Sequence, residues 1–165
     1  MIRPAVEADL AALVELGRRS WLSAFAQTAP FELIAWWART DRTRTLYAET
    51  WREMVVLEEA GGIAGLLHVR GAEINGLFVH PASQGRGVGT LLLKEGEGRI
   101  AEAGHPAAWL TCSAFNTRAM EFYRWRGYVE TGRERYQQES GVEVEDVRME
   151  RRLDHAASGA RTMRA

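Results

Sequence analysis

The sequence predicts one domain of the α/β (α+β) class, a mixed sheet flanked by helices, on three observations. Short apolar runs between Met54 and Val79 are separated only by glycine-bearing turns, the pattern of neighbouring antiparallel strands. Apolar residues near the amino terminus and after Gly89 recur instead at helical spacing. The chain has 165 residues and 46% hydrophobic content, enough to bury one core without disulfides or metal.

In order along the chain, Ile2 and Arg3 read as a short first strand, and Glu7-Ala8-Asp9 opens a helical series of Leu10, Leu13, Val14, Leu16 and Trp21. Acidic residues in a first turn suit the helix dipole. Residues 31–46, rich in Trp and Arg, read as one or two short helices. Met54 to Leu57 and Ile63 to Val69 read as strands around a glycine turn, and Ala72 to Val79 as a third strand closed by His80-Pro81. Leu91, Leu92, Leu93, Glu95, Ile100 and Ala101 then mark a helix, in which Gly96 and Gly98 each cost up to about 1 kcal/mol relative to Ala. Ala107 to Cys112 is a strand and Thr117 to Arg126 a helix ending at Gly127. Residues 128–131, 133–138 and 143–153 are extended, with Ser140-Gly141 as a turn, and 154–165 read as a flexible C-terminal tail.

Composition narrows the function classes. A formal net charge of -1 gives no global bias toward nucleic acid or anionic membrane, and no apolar run approaches the roughly 20 residues of a spanning helix. Cys112 is the single cysteine, which rules out an intramolecular disulfide and a multi-cysteine zinc site and suits a reduced, cytoplasmic location. His68, His80, His105 and His155 have neither helical ligand spacing nor a cysteine partner, so no metal is expected.

Residues 84–89 read Q-G-R-G-V-G, after the strand ending at Val79 and before a helix. A strand, a glycine turn and a helix N-terminus together point several backbone N–H groups and a positive dipole end at an anion. Two phosphate signatures do not fit. A P-loop needs Lys-Ser or Lys-Thr after its last glycine, where this chain has Thr90-Leu91, and Gly85, Gly87 and Gly89 alternate without the third glycine of a dinucleotide fingerprint.

The spacing of Gln84, Gly87 and Gly89 instead resembles the Q-x-x-G-x-G pattern with which the GNAT superfamily of N-acetyltransferases binds the pyrophosphate of coenzyme A. A second stretch, N-T-R-A-M-E-F-Y-R-W-R-G-Y-V from 116 to 129, is similar to another family signature. Asn116, Ala119, Phe122, Tyr123 and Gly127 match, and Tyr128 stands where a Phe is usual. The resemblance extends over about Ile2 to Leu153, which makes residues 1–153 the acetyltransferase domain.

The resemblance implies a mostly antiparallel sheet of about six or seven strands, its fourth and fifth strands splayed, with about four helices. It implies acetyl-CoA as cosubstrate, no metal, and direct transfer of the acetyl group to a primary amine of a small molecule or amino acid. The alternatives are a protein or peptide N-acetyltransferase and a non-catalytic acyl-CoA sensor. Main-chain groups of Leu77, Phe78 and Val79 would hold the pantetheine arm, and the Leu77 N–H would stabilise the thioester oxygen. The main chain of Gln84, Gly85, Arg86, Gly87, Val88, Gly89 and Thr90 would hold the pyrophosphate, with charge from Arg86, and Asn116 would be a coenzyme contact or a helix N-cap.

An alkyl ammonium with a pKa near 10.4 leaves about one molecule in a thousand competent near neutral pH, so a base or water relay helps. Glu73, eleven positions before Gln84, matches a family position for that base and is expected at the open end of the splayed strand, with Asn75 on the same face. Tyr123 matches the position of the acid that protonates the leaving thiolate. Cys112 is expected as a packed core thiol. Trp21, Phe25, Trp36, Trp37 and Trp51 lie where the family builds its acceptor pocket, although such spacing also suits core. Apolar Val142, Val144 and Val147 on the late strands, through which the family often dimerises, predict a homodimer.

Overall fold

The computed structural model describes residues 1–153. The tail expected at 154–165 lies outside the described residues. Seven strands, β1 (Ile2–Pro4), β2 (Met54–Glu59), β3 (Gly62–Arg70), β4 (Glu73–Val79), β5 (Ala107–Ser113), β6 (Val129–Gln137) and β7 (Glu143–Arg152), form one sheet in the order β1-β2-β3-β4-β5-β7-β6. All neighbours are antiparallel except β4 and β5, which run parallel and pair only at Glu73 and Trp109. Beyond that pair the two strands part, the splay expected from the resemblance.

Among the described residues five α-helices accompany the sheet, one more than expected: α1 (Leu10–Phe25), α2 (Phe31–Thr40), α3 (Arg42–Thr50), α4 (Val88–Glu102) and α5 (Thr117–Arg124). The additional break falls at Asp41, whose φ of 45° is left-handed and separates α2 from α3. Its carboxylate takes hydrogen bonds from Arg18 of α1 and Arg44 of α3, which hold that corner.

On one face, Leu92, Leu93 and Ile100 of α4 and Met120 and Tyr123 of α5 pack on Leu67, Leu110, Val147 and Met149 of the sheet. On the other face, Leu13 and Leu16 of α1 and Tyr47 of α3 cover Met54, Val56 and Leu66. Fully burying one such aliphatic side chain is worth about 1.5–3 kcal/mol. Gly96 lies where α4 crosses β3: a Cβ there would come within 3.2 Å of Leu67, so the missing side chain lets the helix lie close. Nothing in the structure explains Gly98. Tyr128, in place of a Phe, uses its extra atom: its hydroxyl donates to Glu97 at 3.0 Å, and Glu97 also pairs with Arg151.

The expected dimer surface requires correction. Because β7 lies between β5 and β6, Val144 and Val147 are buried in this chain's own core, and Val142 packs against the cluster around Leu33 and Trp36. The exposed edge is β6, laced by ion pairs of Arg133 and Arg135 with Glu130 and Glu145, a charged edge that discourages strand pairing. No helix among the described residues is long and apolar enough to cross a membrane.

Candidate active site

The splay of β4 from β5 creates the site. His80 N donates to Ala64 O at 2.8 Å, so by antiparallel alternation Phe78 faces β3, while Leu77 and Val79 turn their N–H and C=O groups toward the gap. The Val79 carbonyl accepts from Ser20 Oγ at 2.9 Å and Gln84 Nε2 at 3.2 Å, which ties α1 and the glycine turn to the end of β4. Phe78 thus spends its main chain on β3 and presents its ring to the helices instead.

Two cavities flank this gap. The first, about 550 Å³, lies between the end of β4, the 84–89 turn and α5. Of the residues expected to bind coenzyme, Leu77, Phe78, Val79, Gln84, Gly85, Gly87, Gly89, Thr90 and Asn116 line it, together with Tyr123. Gly87 has φ 86° and caps the N-terminus of α4, a conformation closed to a branched side chain. Val88 points instead into the core, and Arg86 turns outward toward Glu59 at 3.5 Å. Asn116 serves as the N-cap of α5, its Oδ1 accepting from Ala119 N at 3.1 Å.

Sequence reasoning missed two arginines in this cavity. Arg118 donates to Gln84 Oε1 at 2.6 Å, and Arg126 lies 3.7 Å over the Phe122 ring while donating to Phe122 O and Thr90 Oγ1. Neither pairs with a carboxylate among the described residues, and Arg126 Nε is buried without a partner. A signal existed: 118, 122 and 126 recur at four-residue spacing on one side of α5 and its last turn. An orphaned guanidinium N–H beside a helix N-terminus fits a phosphate group.

Tyr123 is 7% exposed, edge-on to Phe122 and Tyr128. Burial pushes its phenol well above the usual tyrosine value, so it holds its proton throughout the physiological range. Its hydroxyl makes no hydrogen bond among the described residues, and the residue lines the cavity. Nearby Cys112 is a buried thiol, as expected, pushed up to about 12 by burial. The same surroundings raise the basicity of any thiolate brought beside Tyr123 and so favour its protonation.

The second cavity, about 660 Å³, lies on the other side of the gap under α1, α2 and α3. Trp21, Phe25, Trp36 and Trp37 line it, whereas Trp51 packs under the α1 face. Trp21, Phe25 and Phe78 border both cavities and form a common wall. Asn75 also faces this cavity, placed there by a bulge: His68 pairs with Gly76 and Val69 with Ile74, leaving Asn75 as the extra residue. Glu73 does not face it. The expected open-end position is corrected by the pairing of Glu73 with Trp109, which places it at the closed end of the splay, and it lines neither cavity. Among the described residues no group of three His, Cys, Asp or Glu could hold a metal ion.

The model of the Acetyltransferase (GNAT) family matches residues 10–128. No curated protein sequence matches the chain. Among solved structures, a GCN5-related N-acetyltransferase from Rhodopseudomonas palustris is 25% identical with a TM-score of 0.81, covering 93% of this chain and 95% of that one. PaiA N-acetyltransferase from Thermoplasma acidophilum, solved with coenzyme A, is 20% identical with a TM-score of 0.68 over 93% and 98% of the two chains. A ribosomal-protein-alanine N-acetyltransferase from Brucella melitensis is 21% identical with a TM-score of 0.69 over 93% and 99%.

Proposed function

The chain belongs to the GNAT acetyltransferase family, and from that premise we propose that it acetylates a primary amine of a small molecule, using acetyl-CoA and no metal. The observation that carries the reading is the pair of cavities of opposite charge meeting at one wall. The first has Arg118 and Arg126 as its charged side chains; in the second Arg42 is outnumbered by Glu139 and Asp146. Phosphates suit one and an ammonium the other. A volume of about 660 Å³ falls within the roughly 300–1,000 Å³ typical of small-molecule sites.

Acetyl-CoA supplies the activated acetyl thioester. For its phosphates the chain offers the main chain of Gln84, Gly85 and Gly87, the N-terminus of α4, and the guanidinium groups of Arg118 and Arg126. The Leu77 main-chain groups and the Val79 N–H face the gap where an extended arm would lie as an added strand. Tyr123 holds a proton at Oη on that side of the wall, ready for the leaving sulfur. Trp21, Phe25 and Phe78 exclude water from the reacting centre, which strengthens each of these interactions.

Thiol release from acetyl-CoA across a panel of amines and peptides tests the reading. Turnover with small amines is expected. Coenzyme A binding without turnover on any amine would make the protein an acyl-CoA sensor, and turnover on peptides alone would make it a peptide N-acetyltransferase.

A further inference from the structure

We propose that Asp146 is the carboxylate that receives the acceptor's ammonium group, in a cavity whose aromatic walls fit an amine carried on an aromatic or flat apolar body. The inference rests on the amine-acetylation reading above and names its substrate class.

Asp146 lies on β7 directly opposite Ser113 of β5, at the end of β5 that β4 has left, and both residues line the second cavity. No sequence spacing relates it to the glycine turn; strand order alone brings it there.

Its partners come next. Tyr136 Oη donates to Asp146 Oδ2 at 2.9 Å. Burial, reinforced by Asp146 itself, pushes that phenol up to about 12, so Tyr136 is a fixed donor that orients the carboxylate without neutralising it. Among the neighbouring acids, Glu145 is answered by Arg133 and Arg135 and Glu139 by Arg42 at 3.4 Å, while Glu134, directly opposite Asp146 on β6, has no cationic partner among the described residues but lies outside the cavity lining. Asp146 has no cationic partner among the described residues. The charged lining side chains, Arg42, Glu139 and Asp146, sum to -1, which favours a cation over a zwitterion with a carboxylate of its own.

Walls then set the class. Trp21 and Trp37 stack at 4.2 Å with their planes 5° apart, and Trp36, Tyr47 and Phe78 complete an aromatic lining. Such a slab rewards a flat apolar body and also stabilises a nearby ammonium through its ring faces. A short aliphatic amine would leave most of that surface unfilled.

The ammonium passes one proton to Asp146, and the freed nitrogen lone pair forms the C–N bond to the acyl carbon. The C–S bond breaks with its electron pair on sulfur, Tyr123 Oη protonates that sulfur, and the nitrogen's second proton restores the Tyr123 hydroxyl. Asp146 returns its proton to water at the cavity mouth.

The test uses the full chain with phenethylamine and its uncharged counterpart phenethyl alcohol, titrated by calorimetry without acetyl-CoA. The amine should bind at least about tenfold more tightly than the alcohol, because only it makes a charge-assisted hydrogen bond. In Asp146→Asn that gap should close, with alcohol binding unchanged, and in Asp146→Glu it should persist. A role confined to structure would weaken both ligands alike, and that result, or an undiminished gap in Asp146→Asn, overturns the proposal. Thiol release should also favour phenethylamine over methylamine and over an alanine-terminated peptide in kcat/KM, and a preference for either of those overturns the substrate class. The binding pattern without thiol release from any amine would instead refute acetylation and leave Asp146 as an ammonium site.

Discussion

Replacing Arg126 by Leu separates the cost of binding from the cost of folding. In the free protein Arg126 gains a contact over the Phe122 ring and hydrogen bonds to Phe122 O and Thr90 Oγ1, and it loses the desolvation of an unpartnered Nε. A ring contact is worth about 0.5–2 kcal/mol, each hydrogen bond from a charged group about 1.5–3, and an orphaned buried donor costs about 1–3. The contacts outweigh the orphan, so Arg126→Leu should also lower Tm, by about 2–4 °C per kcal/mol lost for a chain of this size, and affinity is read on the folded variant below that Tm. One charge-assisted hydrogen bond to phosphate is worth about 1.5–3 kcal/mol, hence a loss of about 10- to 100-fold in coenzyme A affinity. Calorimetry with coenzyme A, and with acetyl-pantetheine as the phosphate-free control, reads this directly. Weakening confined to coenzyme A is expected; equal weakening of both ligands, or unchanged coenzyme A affinity in a folded variant, would refute the phosphate assignment.

Tyr123→Phe should lower kcat by about ten- to a thousandfold with coenzyme A affinity within a few fold, since it removes a hydroxyl with no partner among the described residues and keeps the ring. Because burial raises this phenol, no alkaline limb from Tyr123 should enter the kcat profile below about pH 10; full kcat in the variant, with single-turnover kinetics showing chemistry to be limiting, removes its role as acid. Glu73→Gln should leave kcat/KM within about threefold at every pH, given its place at the closed end of the splay, and a lost acidic limb would restore it as the base. Acidification should lower Tm between about pH 5 and 2. Glu53, held to about 2 by Arg70 and His68, and Asp9, held low by Arg3, contribute stability above their ordinary values that is lost as pH falls through their folded ones. High salt should flatten that dependence, because the pairs are at the surface, and a Tm that is constant to pH 2 would contradict it.

Most elements were legible because their signals are local. Apolar alternation, the glycine turns and the stretch from Gln84 to Gly89 each place a strand end or helix start within a few residues, and Tyr123 followed from its signature. What failed depends on how distant segments meet. Counting back from Gln84 reaches Glu73, but only the register between β4 and β5, fixed through the α4 crossover, decides which end of the splay is closed. Val144 and Val147 read as surface until β7 is placed inside the sheet. Asp146 needs that same strand order to be noticed. Asp41 escaped notice because a left-handed non-glycine residue is rare and carries no pattern.

Trp21, Phe25 and Phe78 border both cavities, so a ligand in either would fix side chains that a ligand in the other also touches. Such sharing lets the two affinities couple, and any coupling is reciprocal: whatever factor coenzyme A applies to the amine's dissociation constant, the amine must apply to that of coenzyme A. Positive coupling would arise if the first arrival bears the ordering cost of the common rings, leaving the second to bind a wall already set. Each ligand would then be an effector of the other across a partition one side chain thick, and the site would be fully assembled only when both are present.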